Sequence, residues 1–216
     1  ADDLHTVLIV ESARLVAERV SADRKLVPLF RAWDAQRGGD REWTVDPADV
    51  PPAATAHAKL IEALEAWDGG RAQGAMLALY LAGGREAVIE PIARYAMRNH
   101  VWTGHTAIWS ALAIRALDRA NWDCVHHIVR SLARAFVSRP DDASTSAFDN
   151  NLKRLADVPT SWRDGHDDAT VVPAMLDVLR SGDANTCVTE VIAQLGAGVS
   201  PRTLWTALAV AATSGC

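Results

Sequence analysis

The sequence predicts an all-α fold, a multi-helix bundle with an internal repeat of about 100 residues, and three observations carry that expectation. Apolar residues recur at three- and four-residue spacing almost throughout the 216 residues, the period of a helix that buries one stripe. Period-two alternation of β-branched residues, the mark of a half-buried strand, is nearly absent. Stretches of similar apolar sequence also return at an offset near 100, which points to a duplicated unit.

The helical runs follow in order, each bounded by its breakers. The first, 3–21, carries the line Leu4, Leu8, Glu11, Leu15, and the second, 23–37, stops at Gly38-Gly39. The run 52–67 follows Pro51-Pro52 and ends before Gly69-Gly70, and 71–82 is parted from 85–99 by Gly83-Gly84. Runs at 104–120, 122–138 and 146–156 come next, then 168–181 up to Gly182, 184–196 up to Gly196 and Gly198, and 201–213. The stretches 38–51 and 139–145 read as surface crossovers.

Composition excludes several functions. A net charge of −5 with only three lysines, and arginines that stand singly, lacks the basic face of a nucleic-acid binder. The longest apolar stretch, Val7-Leu8-Ile9-Val10, is far short of the roughly 20 residues that span a bilayer, so no membrane span is expected. At this length a core can form without disulfides or metal. Cys124, Cys187 and Cys216 are odd in number and widely spaced, which supports neither a disulfide framework nor a zinc ribbon. Cys124 and Cys187 read as small buried hydrophobes. The chain opens without Met and without a charged and apolar leader, and so reads as a mature or excised piece of a longer protein.

The repeat aligns Ile108-Trp109-Ser110-Ala111-Leu112-Ala113 with Leu204-Trp205-Thr206-Ala207-Leu208-Ala209 at an offset of 96. Met76-Leu77 and Gly83 match Met175-Leu176 and Gly182, and Trp67 and Trp162 open the two units. A partial third copy begins at His5-Thr6-Val7-Leu8, which parallels His105-Thr106-Ala107-Ile108. The expected organisation is one helical domain over 1–216 with units at 67–120 and 162–213 and a partial copy at 5–37. A period this long fits a duplicated bundle better than a solenoid.

Four of the seven histidines have an inward helical phase. His105 shares the stripe of Trp109, Leu112 and Ala116, His5 occupies the equivalent place in the partial copy, His57 falls in line with Leu60, Leu64 and Trp67, and His100 extends Ile89, Ile92 and Ala96. Imidazoles that converge from facing helices are how bundle cores hold a transition metal such as iron. His5, His57, His100 and His105 are therefore the candidate metal ligands, with His5 and His105 as candidate catalytic acid–base groups. The competing reading leaves each as a core-edge histidine bonded to a neighbouring helix end. Asp123 and His126, three apart, share a face of the helix opening at Trp122, though one such pair falls short of a di-iron set. His166 belongs to a polar loop capped by Asp167 or Asp168. Glu11 is expected at the edge of its stripe, the alternative being a buried carboxylate that meets Arg14 or a metal. Trp67, Trp109 and Trp205 are expected in the core, with Trp102, Trp109 and His105 as the candidate lining of a substrate pocket. Signatures of nucleotide binding, zinc proteolysis and serine hydrolysis are absent from the sequence.

The segments Gly104-His105-Thr106-Ala107-Ile108-Trp109, Asn121-Trp122-Asp123 with Val129-Arg130-Ser131-Leu132-Ala133, and Trp162-Arg163-Asp164-Gly165 through Asp168-Ala169-Thr170 resemble an uncharacterised group of longer, exported, all-helical bacterial proteins. More remotely, the Gly-His helix start resembles the His-bearing helices of questin-oxidase-like proteins. That resemblance implies an oxidoreductase acting on aromatic polyketides. Only one Gly-His start is present, and the place equivalent to His105 in the second unit is Pro201. Exported residence follows from the first resemblance, whereas cytoplasmic residence agrees equally with three unpaired cysteines. Two functions are left in contention. One is a metal- or small-molecule-binding protein with a His-lined interior, oxidoreductase-like in chemistry. The other is a non-catalytic helical repeat module for protein interaction, with a homo-oligomer or the remainder of a longer chain as its partner.

Overall fold

The computed structural model describes residues 2–34, 47–98, 101–123, 125–138 and 142–214, and among these it is all-helical. Ten α-helices occur among the described residues: α1 (Asp2–Ala17), α2 (Leu26–Asp34), α3 (Ala56–Glu65), α4 (Gly69–Ala96), α5 (Val101–Arg119), α6 (Val125–Phe136), α7 (Asp142–Arg154), α8 (Val171–Ser181), α9 (Ala184–Gly196) and α10 (Pro201–Ser214). The all-α class read from periodicity is thus what the chain adopts. The chain divides into two compact units, Ala1–Phe148 and Asp149–Cys216. The expected repeat unit 67–120 falls in the first and 162–213 in the second.

In the first unit α4 packs against α3, α5 and α6. Leu60 and Leu64 of α3, Met76 and Ile92 of α4, and Leu132 and Phe136 of α6 are fully buried among one another. The Asp68 carboxylate caps α4 by accepting from the Arg71 amide at 3.0 Å. At Gly84 the backbone turns to φ +64°, ψ −153°, a conformation open in practice only to glycine, and breaks α4 where Gly83-Gly84 predicted an interruption. Pro91 lies beyond the break and supplies no amide to the helical ladder. Gly74 has a packing reason: a Cβ there would stand 2.1 Å from the Asp49 carbonyl oxygen.

The exit from α3 is strained and tied down. Asp68 N–H donates to the Ala63 carbonyl at 2.9 Å, the closure that ends many helices on a left-handed glycine, yet the left-handed residue here is Trp67 at φ +55°. Buried Arg98 holds it: its guanidinium lies 4.4 Å from the Trp67 ring centroid, donates to the Leu64 carbonyl at 2.8 Å and faces Glu65 at 3.2 Å. Tyr95 donates to the same Glu65 carboxylate at 2.5 Å, and burial with that bond pushes its phenol pKa upward.

Helices α1 and α5 pack together in a parallel register, His5 meeting His105 at one end while Glu11 meets Arg115 and Arg119 further along. Gly104, at φ +79°, sets off the regular part of α5, which His105 then opens.

The second unit is smaller. Helices α9 and α10 pack on α8, and the buried core comprises Met175, Leu195, Val199, Leu204 and Ala207. The loop before α8 is zipped to the loop before α10: His166 N–H donates to the Gly198 carbonyl at 2.9 Å and Ser200 N–H to the His166 carbonyl at 2.8 Å. The resulting bridge between His166 and Val199 is isolated. Gly165 lets the two backbones approach, since a Cβ there would come within 2.7 Å of the Val199 carbonyl.

The aligned helices α5 and α10 do not bury the same face. Trp109 and Ala113 are buried in α5, whereas their counterparts Trp205 and Ala209 are exposed and α10 instead turns Thr203, Leu204 and Ala207 inward. The expectation that Trp205 joins a core is therefore corrected: it is 69% exposed. Met76 and Met175, by contrast, are both buried.

Candidate functional site

Of the four candidate ligands, the structure brings two together. His5 on α1 and His105 on α5 have ring centroids 6.0 Å apart, and each meets the Trp109 indole edge to face, at 5.4 and 5.5 Å. Trp109 is buried, and its indole N–H has no hydrogen-bond partner among the described residues. His57 does not join them. The inward phase expected for it is corrected, because α3 buries Ala56, Leu60, Ala63 and Leu64, and that face turns His57 to solvent. His100 and the side chain of Trp102 lie outside the described residues. No group of three or more His, Cys, Asp or Glu is placed to hold a metal ion among the described residues.

Glu11, expected at a stripe edge, is instead almost fully buried, which corrects that expectation in favour of the alternative in which it meets Arg14. Its carboxylate receives two hydrogen bonds from Arg14, at 2.8 and 3.0 Å, with Arg119 at 3.4 Å and Arg115 at 3.6 Å. Arg14 also pairs with Glu18. The hydrogen bond from Arg14 and the nearby guanidinium charges outweigh the cost of burial and hold the Glu11 carboxyl below its ordinary 4.5. Three guanidinium groups around one carboxylate make a structural clamp between α1 and α5.

The remaining candidates are dispersed. Helix α6 starts at Val125, so Asp123 lies in the preceding turn and does not share a helical face with His126, as the i, i+3 spacing had suggested. His126 instead stands edge-on to Tyr80 at 6.3 Å, and Tyr80 stacks on Trp122 at 5.9 Å. Trp122 donates to Asp118 at 2.8 Å, and Arg85 grips the same carboxylate at 2.8 Å, so the left-handed turn at Asn121 and Trp122 is pinned from both sides. Cys187 is partly buried in α9, its Sγ 3.5 Å from the Val178 carbonyl, while Cys124 and Cys216 lie outside the described residues.

A pocket that sequence reasoning missed lies in the second unit. A groove of about 710 Å³ opens between the end of α7, the loop through Pro159 and Trp162, and one face of α9. Val158, Val188, Val191, Ile192 and Leu195 supply apolar wall, in the size range and with the lining of a small-molecule site. The charged side chains that line it are Arg154 and Arg163, both cationic. Arg154 is positioned by bonds to the Asn185 carbonyl at 3.1 Å and the Thr189 hydroxyl at 2.8 Å, and Arg163 stacks on Trp162 at 4.1 Å. One signal was present in the sequence: Val188, Val191, Ile192 and Leu195 recur on one stripe of α9, although a stripe alone does not say whether a helix or a ligand covers it.

No protein-family model, curated protein or solved structure matches the chain. No described helix is long and apolar enough to cross a membrane.

Proposed function

We propose that the protein is a small-molecule-binding helical protein whose second unit takes an elongated apolar ligand carrying an anionic group, of the class of medium-chain carboxylates. The observation that carries this reading is the groove beside α9, which combines an apolar wall with two arginines and no acidic lining residue. Arg154 is held in place before any ligand arrives, so little side-chain freedom is lost on binding. The Arg163 guanidinium leaves its edge available while its face rests on Trp162.

Calorimetric titration with octanoate, decanoate and dodecanoate tests the proposal. Burying one methylene is worth about 0.8 kcal/mol, so affinity is expected to rise roughly fourfold per added carbon until the groove is full. Arg163→Glu, at an exposed position, is expected to weaken the carboxylates while leaving dodecanol unaffected. Absence of binding, or affinities that ignore both chain length and Arg163→Glu, would overturn the reading.

A second reading is favoured by the approach of His5 to His105 beside a buried indole. It is a transition-metal site built on these two imidazoles, and the oxidoreductase chemistry implied by the remote resemblance would reside there. Elemental analysis of the protein and of the His5→Ala, His105→Ala double variant decides it: stoichiometric metal lost in the variant supports the site, and metal-free wild type removes it. The duplication is also kept as a proposal, supported by the aligned sequences of α5 and α10 and by the buried pair Met76 and Met175.

A further inference from the structure

The two arginines of the α9 groove stand toward opposite ends of its apolar wall. Arg154 is fixed beside the first half of α9 by its bonds to the Asn185 carbonyl and the Thr189 hydroxyl. Arg163 belongs to the far end. Just beyond it the chain is bonded to the segment that follows α9: His166 N–H donates to the Gly198 carbonyl at 2.9 Å, and Gly165 lies against Val199. The Trp162 ring beneath the Arg163 guanidinium packs on the core that holds Leu195 and Val199. Between the two cations the α9 wall runs from Val188 to Leu195. At the α-helical rise these two residues are roughly 10 Å apart along the axis.

We propose that the groove takes a ligand with an anionic group at each end, an α,ω-dicarboxylate, with one carboxylate on Arg154 and the other on Arg163. The inference rests on the groove reading above and narrows its ligand class. Length and charge both favour it. An extended chain advances roughly 1.2 Å per bond, so about ten carbons span the apolar wall and leave a carboxylate at either end. The bonds that fix Arg154 use two of its N–H donors, and the rest can serve a carboxylate. Arg163, exposed and resting on Trp162 by its face, offers its edge in the same way. A ligand with a single carboxylate leaves one of these guanidinium groups unused. A second carboxylate pressed against an apolar wall is costly unless a cation meets it, so whether it helps or harms binding reports directly on the second arginine. Once one end is held, the other is delivered to its arginine at high effective concentration.

Calorimetric titration of the full chain with decanoate, decanedioate and monomethyl decanedioate tests the proposal. Decanedioate is expected to bind about tenfold tighter than decanoate, the gain of one further charged hydrogen-bonded contact. The monomethyl ester keeps the length and loses one charge, and it is expected to fall back to the affinity of decanoate. Arg163→Gln, at an exposed position, and Arg154→Gln, which keeps a hydrogen-bonding group toward Asn185 and Thr189, are each expected to abolish the advantage of decanedioate. Decanoate loses less in either variant, because its one carboxylate can use the arginine that is left. Decanoate binding with decanedioate equal or weaker, or an advantage that survives Arg163→Gln, would overturn the two-ended ligand and leave the groove reading standing. Failure of all three compounds to bind would overturn both.

Discussion

The two units of this protein use similar helices to opposite ends. In the first, long α4 is enclosed by α3, α5 and α6, and its apolar face is consumed by the core. In the second, α8, α9 and α10 enclose a core of five buried apolar residues, and the α9 stripe stays open to a groove. Trp109 and Trp205 condense the contrast, since the same aligned residue is buried at 4% exposure in α5 and stands in solvent in α10. Sequence sets the apolar stripe, and the number of neighbouring helices decides whether that stripe becomes core or binding surface.

Substitutions in the two cores measure how tightly each is enclosed. Trp109→Ala and Tyr95→Ala in the first unit remove large fully enclosed rings, and each is expected to cost about 3–5 kcal/mol in chemical denaturation. Met175→Ala in the second unit is expected near the lower end for such truncations, about 2 kcal/mol, because its sparser surroundings can collapse into the vacated space. Equal losses at Met175 and Tyr95 would show that the second core is as tightly enclosed as the first.

Glu11→Gln removes the carboxylate that three arginines share. The arginines are partly solvated, so the expected loss is about 1–2 kcal/mol rather than the larger figure for a fully buried pair. Its pH dependence has a definite sign. The folded-state pKa of Glu11 is lowered, so its contribution is fully present above the ordinary value of 4.5 and is lost as pH falls through the lower folded value. Thermal midpoints of wild type and Glu11→Gln are expected to differ at pH 7 and to converge in acid. A difference that persists unchanged into acid would detach the effect from this carboxylate.

Trp205→Ala is expected to have the smallest effect, within about 0.5 kcal/mol, since its ring is exposed. Set beside Trp109→Ala, it sharpens the statement that alignment in sequence does not imply equivalence in packing.

Much of the helical order was legible because the apolar period is local. The break at Gly84 followed from adjacent glycines, and the approach of His5 to His105 agrees with the inward helical phase read for both. The misreadings share a physical cause. Leu60, Leu64 and Trp67 suggested a face for α3 that included His57, but the buried face is centred on Ala56 and Ala63, whose small side chains barely register in a stripe drawn from large residues. Arg14, three positions on, was visible as a partner for Glu11, but the helix that buries the pair and adds Arg115 and Arg119 lies about a hundred positions away. The groove was hidden for the same reason: Arg154, Trp162 and Val191 become neighbours only through tertiary packing, and none is unusual in its own segment.

Hydrogen exchange measured with and without dodecanoate tests the central claim, that the second unit is the open, ligand-binding one. Slowed exchange is expected at residues 151–163 and 188–195 alone, the segments lining the groove, with the amides of α3 to α6 unchanged. Protection in the first unit, or no protection anywhere at saturating dodecanoate, would contradict it.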